Sequence, residues 1–478
     1  MNATQQPTSP PPALAAAIAR AGQGHVLRFW ERLDASGRAG LVRQLESIDW
    51  SGLPRLQALV AERRDGIAAA SDDLADAVTP PCVRLGAGGD RDTAERLGEQ
   101  ALAAGRIGAV LVAGGQGSRL GCEGPKGLYR VGPISDASLF ELLLGGLLAV
   151  RRRHGRDVPL AIMTSAATDA GTRAFLAAHE YCGLDPRLVL VFQQAELPAL
   201  EASSGDLLLD GPGRLATAPD GHGGMLVALR TCGGLEWFAR HGVEHVATFQ
   251  VDNPLALPLH AEFLGHHLRS AAEFTTQVIR KQEPGERVGV VVRRGDSHQV
   301  VEYSDLPPAL AAARDADGGL RFHAGSIAVH AFALAFLERA AAEPTALPLH
   351  LAFKAVPFLD AAGDRIVPGR PNAFKFERFI FDIMPLARRI CVVEIEAAAG
   401  FAPLKNPPGA AADAPEHVRA ALVARARTLL ARAGIDVAPG VTVELDAATV
   451  IDERDLAGAM PAGTRIDEPR LVRGGGSR

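Results

Sequence analysis

From residue 107 onward, short and uniformly apolar runs alternate with segments of helix length, and this alternation constrains the fold more than any other feature of the chain. The runs 107–113, 160–164, 188–192, 246–251 and 288–292 lack the polar–apolar alternation of a strand with one wet face. They therefore predict strands covered on both faces, in a mainly parallel sheet. Between them, 139–154, 170–181, 225–241 and 259–272 are each long enough for the crossover helix that parallel strands require. The middle of the chain is thus expected to be α/β, with a mixed but mainly parallel Rossmann-like sheet.

The flanks read differently. Residues 1–12 are polar and proline-rich and are expected to be a disordered tail. Residues 13–104 form an expected helical N-terminal region, because Val26, Phe29, Trp30, Leu33, Leu41, Leu45 and Ile48 fall at helical spacing and 92–104 is amphipathic. After Pro407 the chain turns Ala-, Pro- and Asp-rich, with a helix expected over 416–433 and weak strands beyond it. This predicts a small C-terminal α+β unit at 407–478 and leaves 105–406 as the central domain.

With 478 residues, 47% hydrophobic and 22% charged, the chain has the balance of a globular protein with a sizeable core. Its net charge of -5 gives no bulk attraction for nucleic acid or anionic lipid, so neither is an expected partner and a polyanionic ligand needs local cations and backbone dipoles. No run approaches the roughly 20 apolar residues of a membrane helix. Cys82, Cys122, Cys182, Cys232 and Cys391 are scattered without a C-x-x-C pair, which reads as reduced thiols in the cytoplasm.

The first apolar run ends in Val110-Leu-Val-Ala-Gly-Gly-Gln-Gly-Ser-Arg-Leu-Gly121, followed by Pro125-Lys-Gly127. Glycines at the end of a buried strand let backbone N–H groups approach phosphate oxygens, and Arg119 and Lys126 add positive charge. Two familiar nucleotide motifs fail here. A dinucleotide fingerprint needs G-x-G-x-x-G, but after Gly115 and Gly117 the next glycine comes one place late, at Gly121. A P-loop needs Ser or Thr after its lysine, and Lys126 is followed by Gly127. Asp252 closes another apolar run, which places a carboxylate at the edge of the sheet where ligands of open α/β folds collect. It reads either as a metal ligand or as a turn or helix-capping residue.

The pattern G-G-x-G-[ST]-R-L-G with P-K-G resembles the signature of sugar-nucleotide pyrophosphorylases. From about residue 25 to 406 the chain is similar to the eukaryotic-type UDP-N-acetylhexosamine pyrophosphorylases, with glucose-specific enzymes as a more distant branch. Further blocks recur in family order: Ile162-Met-Thr-Ser165, Phe192-Gln-Gln194, Pro219-Asp-Gly-His-Gly-Gly224, Val251-Asp-Asn253, Val301-Glu-Tyr-Ser304, Phe322-His-Ala-Gly-Ser326, Phe374-Lys-Phe-Glu377 and Pro403-Leu-Lys-Asn406. The resemblance implies a nucleotidyltransferase domain of glycosyltransferase-A type and a uridylyltransferase, which joins a sugar-1-phosphate to UTP and releases pyrophosphate. It implies Arg119, Lys126 and Lys405 as catalytic, with Arg119 on the leaving pyrophosphate, Lys126 on the α-phosphate and Lys405 on the sugar phosphate. The nucleotide set it implies is Val112, Ala113, Gly114, Gly115, Gly117, Lys126, Gln194, Gly221, Asp252 and Lys375. The sugar set is His222, Glu302, Tyr303, Ser326 and Lys405. Magnesium is the implied cofactor, held by Asp252, and UTP and a sugar-1-phosphate are the implied partners.

The chain departs from the hexosamine pattern at His222, where an asparagine is usual, and at His323 and Ser326, where two amides are usual. These positions face the sugar in the relatives. N-acetylglucosamine-1-phosphate is the first expectation, with glucose-1-phosphate or a broad range of sugar-1-phosphates as alternatives. A non-catalytic sugar-nucleotide-binding protein would be expected to lose the phosphate-handling charges, all of which are present. No G-x-S-x-G elbow or H-E-x-x-H pair supports hydrolase chemistry.

Overall fold

The structure, a computed structural model, describes residues 9–64, 74, 76–343 and 345–475. Its contacts group the chain into two compact units, neither of which is a contiguous segment. The first combines Met1–Ala70, Ala195–Gly224 and Leu347–Phe379; the second combines Ser71–Gln194, Met225–Ala346 and Ile380–Arg478. The helical region expected over 13–104 is therefore divided, and 407–478 belongs with the larger unit.

In the first unit, residues 1–8 of the expected tail lie outside the described residues, and the rest of that tail runs straight into the helix Pro12–Arg20. Its proline occupies the first turn, where no N–H is needed. Helices Ala35–Glu46 and Leu53–Arg64 follow, the former capped by Asp34, whose carboxylate accepts from Gly37 N at 2.7 Å. These helices cannot bury their apolar faces alone. Ile18, Leu41, Leu45 and Leu53 pack with Leu200, Leu207, Phe374 and Phe376, which lie far along the chain, for roughly 25 cal/mol per Å² of apolar surface removed from water. Gln23, 1% exposed, ties the two parts by bonds to Asp206 Oδ1 (3.1 Å) and Leu207 N (2.8 Å). A three-stranded antiparallel sheet of Leu200–Glu201, Ala373–Glu377 and His350–Lys354 completes the unit.

The second unit is built on a ten-stranded sheet. Its strands are β1 (Val83–Arg84), β2 (Ile107–Val112), β3 (Leu160–Thr164), β4 (Val189–Gln193), β5 (His245–Gln250), β6 (Phe274–Arg280), β7 (Val290–Arg294), β8 (Ser297–Val301), β9 (Ala324–Ala333) and β10 (Ile390–Ile395). The order is β1-β10-β6-β9-β5-β2-β3-β4, parallel throughout except for β9, which runs antiparallel to both β6 and β5. The run at 288–292 corrects to an antiparallel hairpin strand, since β7 pairs β8 and meets β9 only at Val290–Gly325. The single helix expected over 225–241 is two, Gly224–Thr231 and Gly234–Arg240, broken where Gly233 takes a φ of +74°.

Helix Leu139–His154 covers one face of the sheet. It opens with a reciprocal box in which Ser138 Oγ accepts from Glu141 N and Glu141 accepts from Ser138 N at 2.7 Å. Within it, Gly146 has nothing within 4 Å of where a Cβ would lie, although a mid-helix glycine costs about 1 kcal/mol relative to alanine. On the same face, helices Arg91–Ala103 and Ala261–Arg269 cross so closely that a Cβ on Gly98 would lie 1.8 Å from Ala261 O, and one on Gly265 would lie 1.6 Å from Ala94 O. This crossing assigns 91–103 to the second unit. The C-terminal segment has a core of its own, in which helix Pro415–Arg432 packs on two short parallel pairs, Asp436–Val437 with Arg465–Ile466 and Val443–Leu445 with Arg470–Val472. Among the described residues no helix is long and apolar enough to cross a membrane.

His267 is 1% exposed, with its ring nitrogens bonded to Thr275 Oγ1 (2.7 Å) and His245 Nδ1 (3.0 Å). Burial, and then the neighbouring His245, push its pKa down to about 3. A depressed imidazole stays neutral in the fold while the unfolded chain takes up a proton. Its stabilising contribution is complete above the unfolded value and is lost as pH falls from about 6.5 towards the folded value, by about 1.4 kcal/mol per pH unit. Thermal melts should fall on acidification across this window, and His267→Gln should flatten the slope. An unaltered slope in the variant would remove His267 as a source of acid lability.

Candidate active site

The glycine loop is held by its own backbone. Beyond β2, Ala113 N donates to Met163 O at 2.8 Å, Lys126 N to Gly115 O at 3.0 Å and Gly117 N to Gly124 O at 3.0 Å, and Gly121 takes a φ of +71°. The N–H groups of Gly114, Gly115 and Gln116 donate to no acceptor among the described residues. Three successive free donors at a strand end are the arrangement that receives phosphate oxygens. Val112 and Ala113 are buried beneath them, and Arg119 stands exposed on the single turn Ser118–Leu120, without an ion pair among the described residues.

Gly114 is required by a neighbour. A Cβ there would lie 2.2 Å from Nε2 of Gln194, so the amide occupies the space a side chain would take. Gln194 is 7% exposed, and its Oε1 is buried with no hydrogen-bond partner among the described residues. A buried amide oxygen left unpaired is costly unless a ligand supplies the donor. Ser165 fixes the loop beside it by donating to Gly114 O at 2.8 Å.

Lys126 reaches the end of β5. Its Nζ lies 3.5 Å from Asp252 Oδ2 and 3.3 Å from Leu404 O, so the loop lysine, the strand-end carboxylate and the segment carrying Lys405 come together in the second unit. Leu404 N also donates to Asp252 O at 2.7 Å. The organiser of this junction is Asn253, 2% exposed, which donates to Gly400 O at 2.9 Å and accepts from Ala402 N at 3.0 Å. Its place in the Val-Asp-Asn block was the only sequence signal for that role. Lys405 is exposed, its N–H bonded to Asp413 O at 2.8 Å.

Glu302 and Ser326 meet around Gly289. Ser326 N donates to Gly289 O at 2.8 Å, and Glu302 Oε1 lies 3.0 Å from the position of a Gly289 Cβ. Tyr303, beside them in sequence, is 48% exposed. His323 is turned elsewhere: its Nδ1 bonds Leu320 O at 3.0 Å, and its ring lines a cleft with Thr79, Cys82 and Arg280 that no other expected site residue lines.

The first unit carries Gly221, His222 and Lys375. Gly221 has a φ of +82°, and a Cβ there would lie 2.4 Å from Arg378 O. The loop is clamped by Asp220, fully buried, whose Oδ2 takes Arg378 Nη1 at 2.8 Å while Gly223 N donates to Arg378 O at 2.8 Å. Burial pushes the Asp220 carboxyl up to about 6 despite the opposing pull of Arg378. His222 stacks on Phe379 at 5.2 Å, and burial, then His350, push it down to about 4, so it is a neutral imidazole near neutral pH. Lys375 is half-buried on Ala373–Glu377, in register with Ala352. Asp220 lies in the Pro219–Gly224 block, but nothing in the sequence paired it with Arg378.

A mainly parallel sheet with a free-donor glycine loop, a basic pair and a strand-end carboxylate defines a nucleotidyl-transfer type of site. The family described as UTP--glucose-1-phosphate uridylyltransferase matches residues 90–406, and the chain belongs to that family. It is 36% identical over 433 residues to the UDP-N-acetylhexosamine pyrophosphorylase-like protein 1 of Homo sapiens, covering 88% of this chain and 85% of that protein. It is 33% identical to the UDP-N-acetylglucosamine pyrophosphorylase of Saccharomyces cerevisiae, covering 89% and 92%. In fold it matches the UDP-N-acetylglucosamine pyrophosphorylase of Trypanosoma brucei, solved with an inhibitor, at a TM-score of 0.76, 22% identity and 93% and 94% coverage.

Proposed function

We propose that the protein is a uridylyltransferase that makes a UDP-sugar and pyrophosphate from UTP and a sugar-1-phosphate, N-acetylglucosamine-1-phosphate first among them. The observation that carries this reading is the meeting of Lys126, Asp252 and the Leu404–Lys405 segment beside three free backbone donors. An oxygen of the sugar phosphate attacks the α-phosphorus of UTP in line, forming the new P–O bond as the bond to pyrophosphate breaks. That oxygen is already anionic at neutral pH, because the second pKa of a phosphate monoester is about 6, so no general base is needed. The chain's work is to orient two polyanions and absorb developing charge.

In this reading the N–H groups of Gly114, Gly115 and Gln116 receive triphosphate oxygens, and Arg119 holds the leaving part. Lys126 serves the α-phosphate and Lys405 the sugar phosphate. Gln194 Oε1 takes the uracil N3–H. Glu302, Tyr303 and Ser326 face the sugar. His222, neutral where hexosamine enzymes usually carry an amide, supports glucose-1-phosphate as a second substrate.

Asp252 fits a magnesium ion. It is a single half-buried carboxylate, and among the described residues no group of three metal-ligating side chains exists, which suits an ion that takes one or two carboxylates and completes its shell with phosphates and water. Bound there, magnesium would neutralise triphosphate charge. The five free cysteines support the cytoplasm as the compartment.

The test is pyrophosphate release from UTP and magnesium with a panel of sugar-1-phosphates. Release is expected fastest with N-acetylglucosamine-1-phosphate and should stop in excess EDTA. No release with any sugar overturns the enzyme reading; activity that survives EDTA overturns the part given to Asp252.

A further inference from the structure

The second unit contains a two-chambered cavity that the proposed reaction does not use. The inner chamber, 120 Å³, is apolar and lies between helix Leu139–His154, the segment following Asp252, and helix Pro415–Arg432, with Leu143, Leu257 and Leu422 among its walls. The outer chamber, 450 Å³, is lined by charged groups, and the two share Leu257, His260, Arg425 and Ile451.

At this junction two polar groups are left short of partners. His260 Nδ1 is buried with no hydrogen bond among the described residues. The Arg425 guanidinium, with five N–H donors, makes one long bond, to Ile451 O at 3.5 Å, and has no ion pair among the described residues. Two acids on the chamber walls, Asp452 and Glu444, are committed elsewhere. Asp452 is held by Arg153 at 2.6 Å and Arg454 at 2.9 Å, and Glu444 accepts from Ile134 N, Ser135 N and Ser135 Oγ at 2.7, 2.7 and 2.6 Å. Burial pushes Arg425 down to about 10, as expected of a cation without a dedicated counter-ion.

Gly146 adds an independent observation. It sits mid-helix on the wall of the inner chamber, where a Cβ would meet nothing within 4 Å, and neither a positive φ nor a close approach calls for glycine. An alanine there would favour the helix, and a leucine would also project into the chamber. The chain thus keeps both an empty apolar space and an unpaired cation at its mouth.

We propose that this cavity binds a small carboxylate with a short alkyl or aryl body, its apolar part against Gly146 and its carboxylate on Arg425, with His260 supplying a further hydrogen bond. Octanoate is a suitable probe and octanol its neutral control. Calorimetric titration of the full chain should show one octanoate site, at least about ten-fold tighter than octanol. Gly146→Leu, which fills the chamber and leaves Arg425 intact, should abolish binding while pyrophosphate release is retained. Arg425→Met should remove the preference for octanoate over octanol. No saturable octanoate binding at millimolar concentration overturns the proposal, as does binding undiminished in Gly146→Leu. Equal affinity for octanol and octanoate in the unaltered protein overturns the assignment of the head to Arg425. The first two results are independent of whether the Arg425 variant folds.

Discussion

Lys126→Ala should lower kcat by about 10²–10³-fold, the usual loss when one preorganised donor to developing charge is removed. In the resting protein the lysine has only interim partners, Asp252 at 3.5 Å and Leu404 O at 3.3 Å, and its side chain is 17% exposed. An ion pair this long and partly wet is worth little to stability, so the variant should melt near the parent temperature. The lysine's gain appears only as charge builds on the α-phosphate. The loss should therefore fall on kcat and kcat/KM together, with KM for UTP less affected. Steady-state kinetics beside a thermal melt decides it: unchanged kcat removes Lys126 from the reaction, and a collapsed melt makes its role structural.

Gly221→Ala should strongly destabilise the first unit. Two costs add there. A φ of +82° costs a non-glycine residue about 1–2 kcal/mol, and the new Cβ would lie 2.4 Å from Arg378 O and 2.9 Å from Arg378 N, backbone atoms that cannot swing aside. Arg378 in turn holds the buried Asp220, so movement would expose a paired charge to separation. Gly22→Ala separates the two costs, because Gly22 lies in the same unit with a φ of +70° and nothing within 4 Å of its Cβ position. Melts followed by tryptophan fluorescence, with Trp30 and Trp50 in the first unit, should show a much larger drop for Gly221→Ala than for Gly22→Ala, accompanied by a raised KM for UTP. Equal drops would mean that the loop yields and the clamp does not matter.

Much of the central sheet was legible because β2 and β3 are apolar on both faces, which only burial explains. β6 escaped notice for the opposite reason. Thr275, Thr276 and Gln277 are completely buried polar residues whose hydroxyls meet His267 and His330 and whose amide N–H donates to Leu257 O, partners on elements that no local pattern connects. The antiparallel insertion of β9 was equally hidden, since strand direction is set by the connections and not by composition. In the site, the glycines and charged residues were legible from their motif blocks. Asn253, Ser165 and Asp220 fall in those blocks too, but their roles were not legible, because they act by holding backbone or, for Asp220, Arg378, that only the fold brings near.

The three-part first unit also has a consequence for how the polypeptide is made. Its N-terminal helices emerge from the ribosome first, yet the partners of Ile18, Leu41 and Leu45 include Phe374 and Phe376. At about 5–20 residues per second, those helices wait on the order of tens of seconds with uncovered apolar faces before their core can close. The growing chain is therefore exposed to aggregation through its earliest segment, and chaperone occupancy should be heaviest there until the Ala373–Glu377 strand arrives.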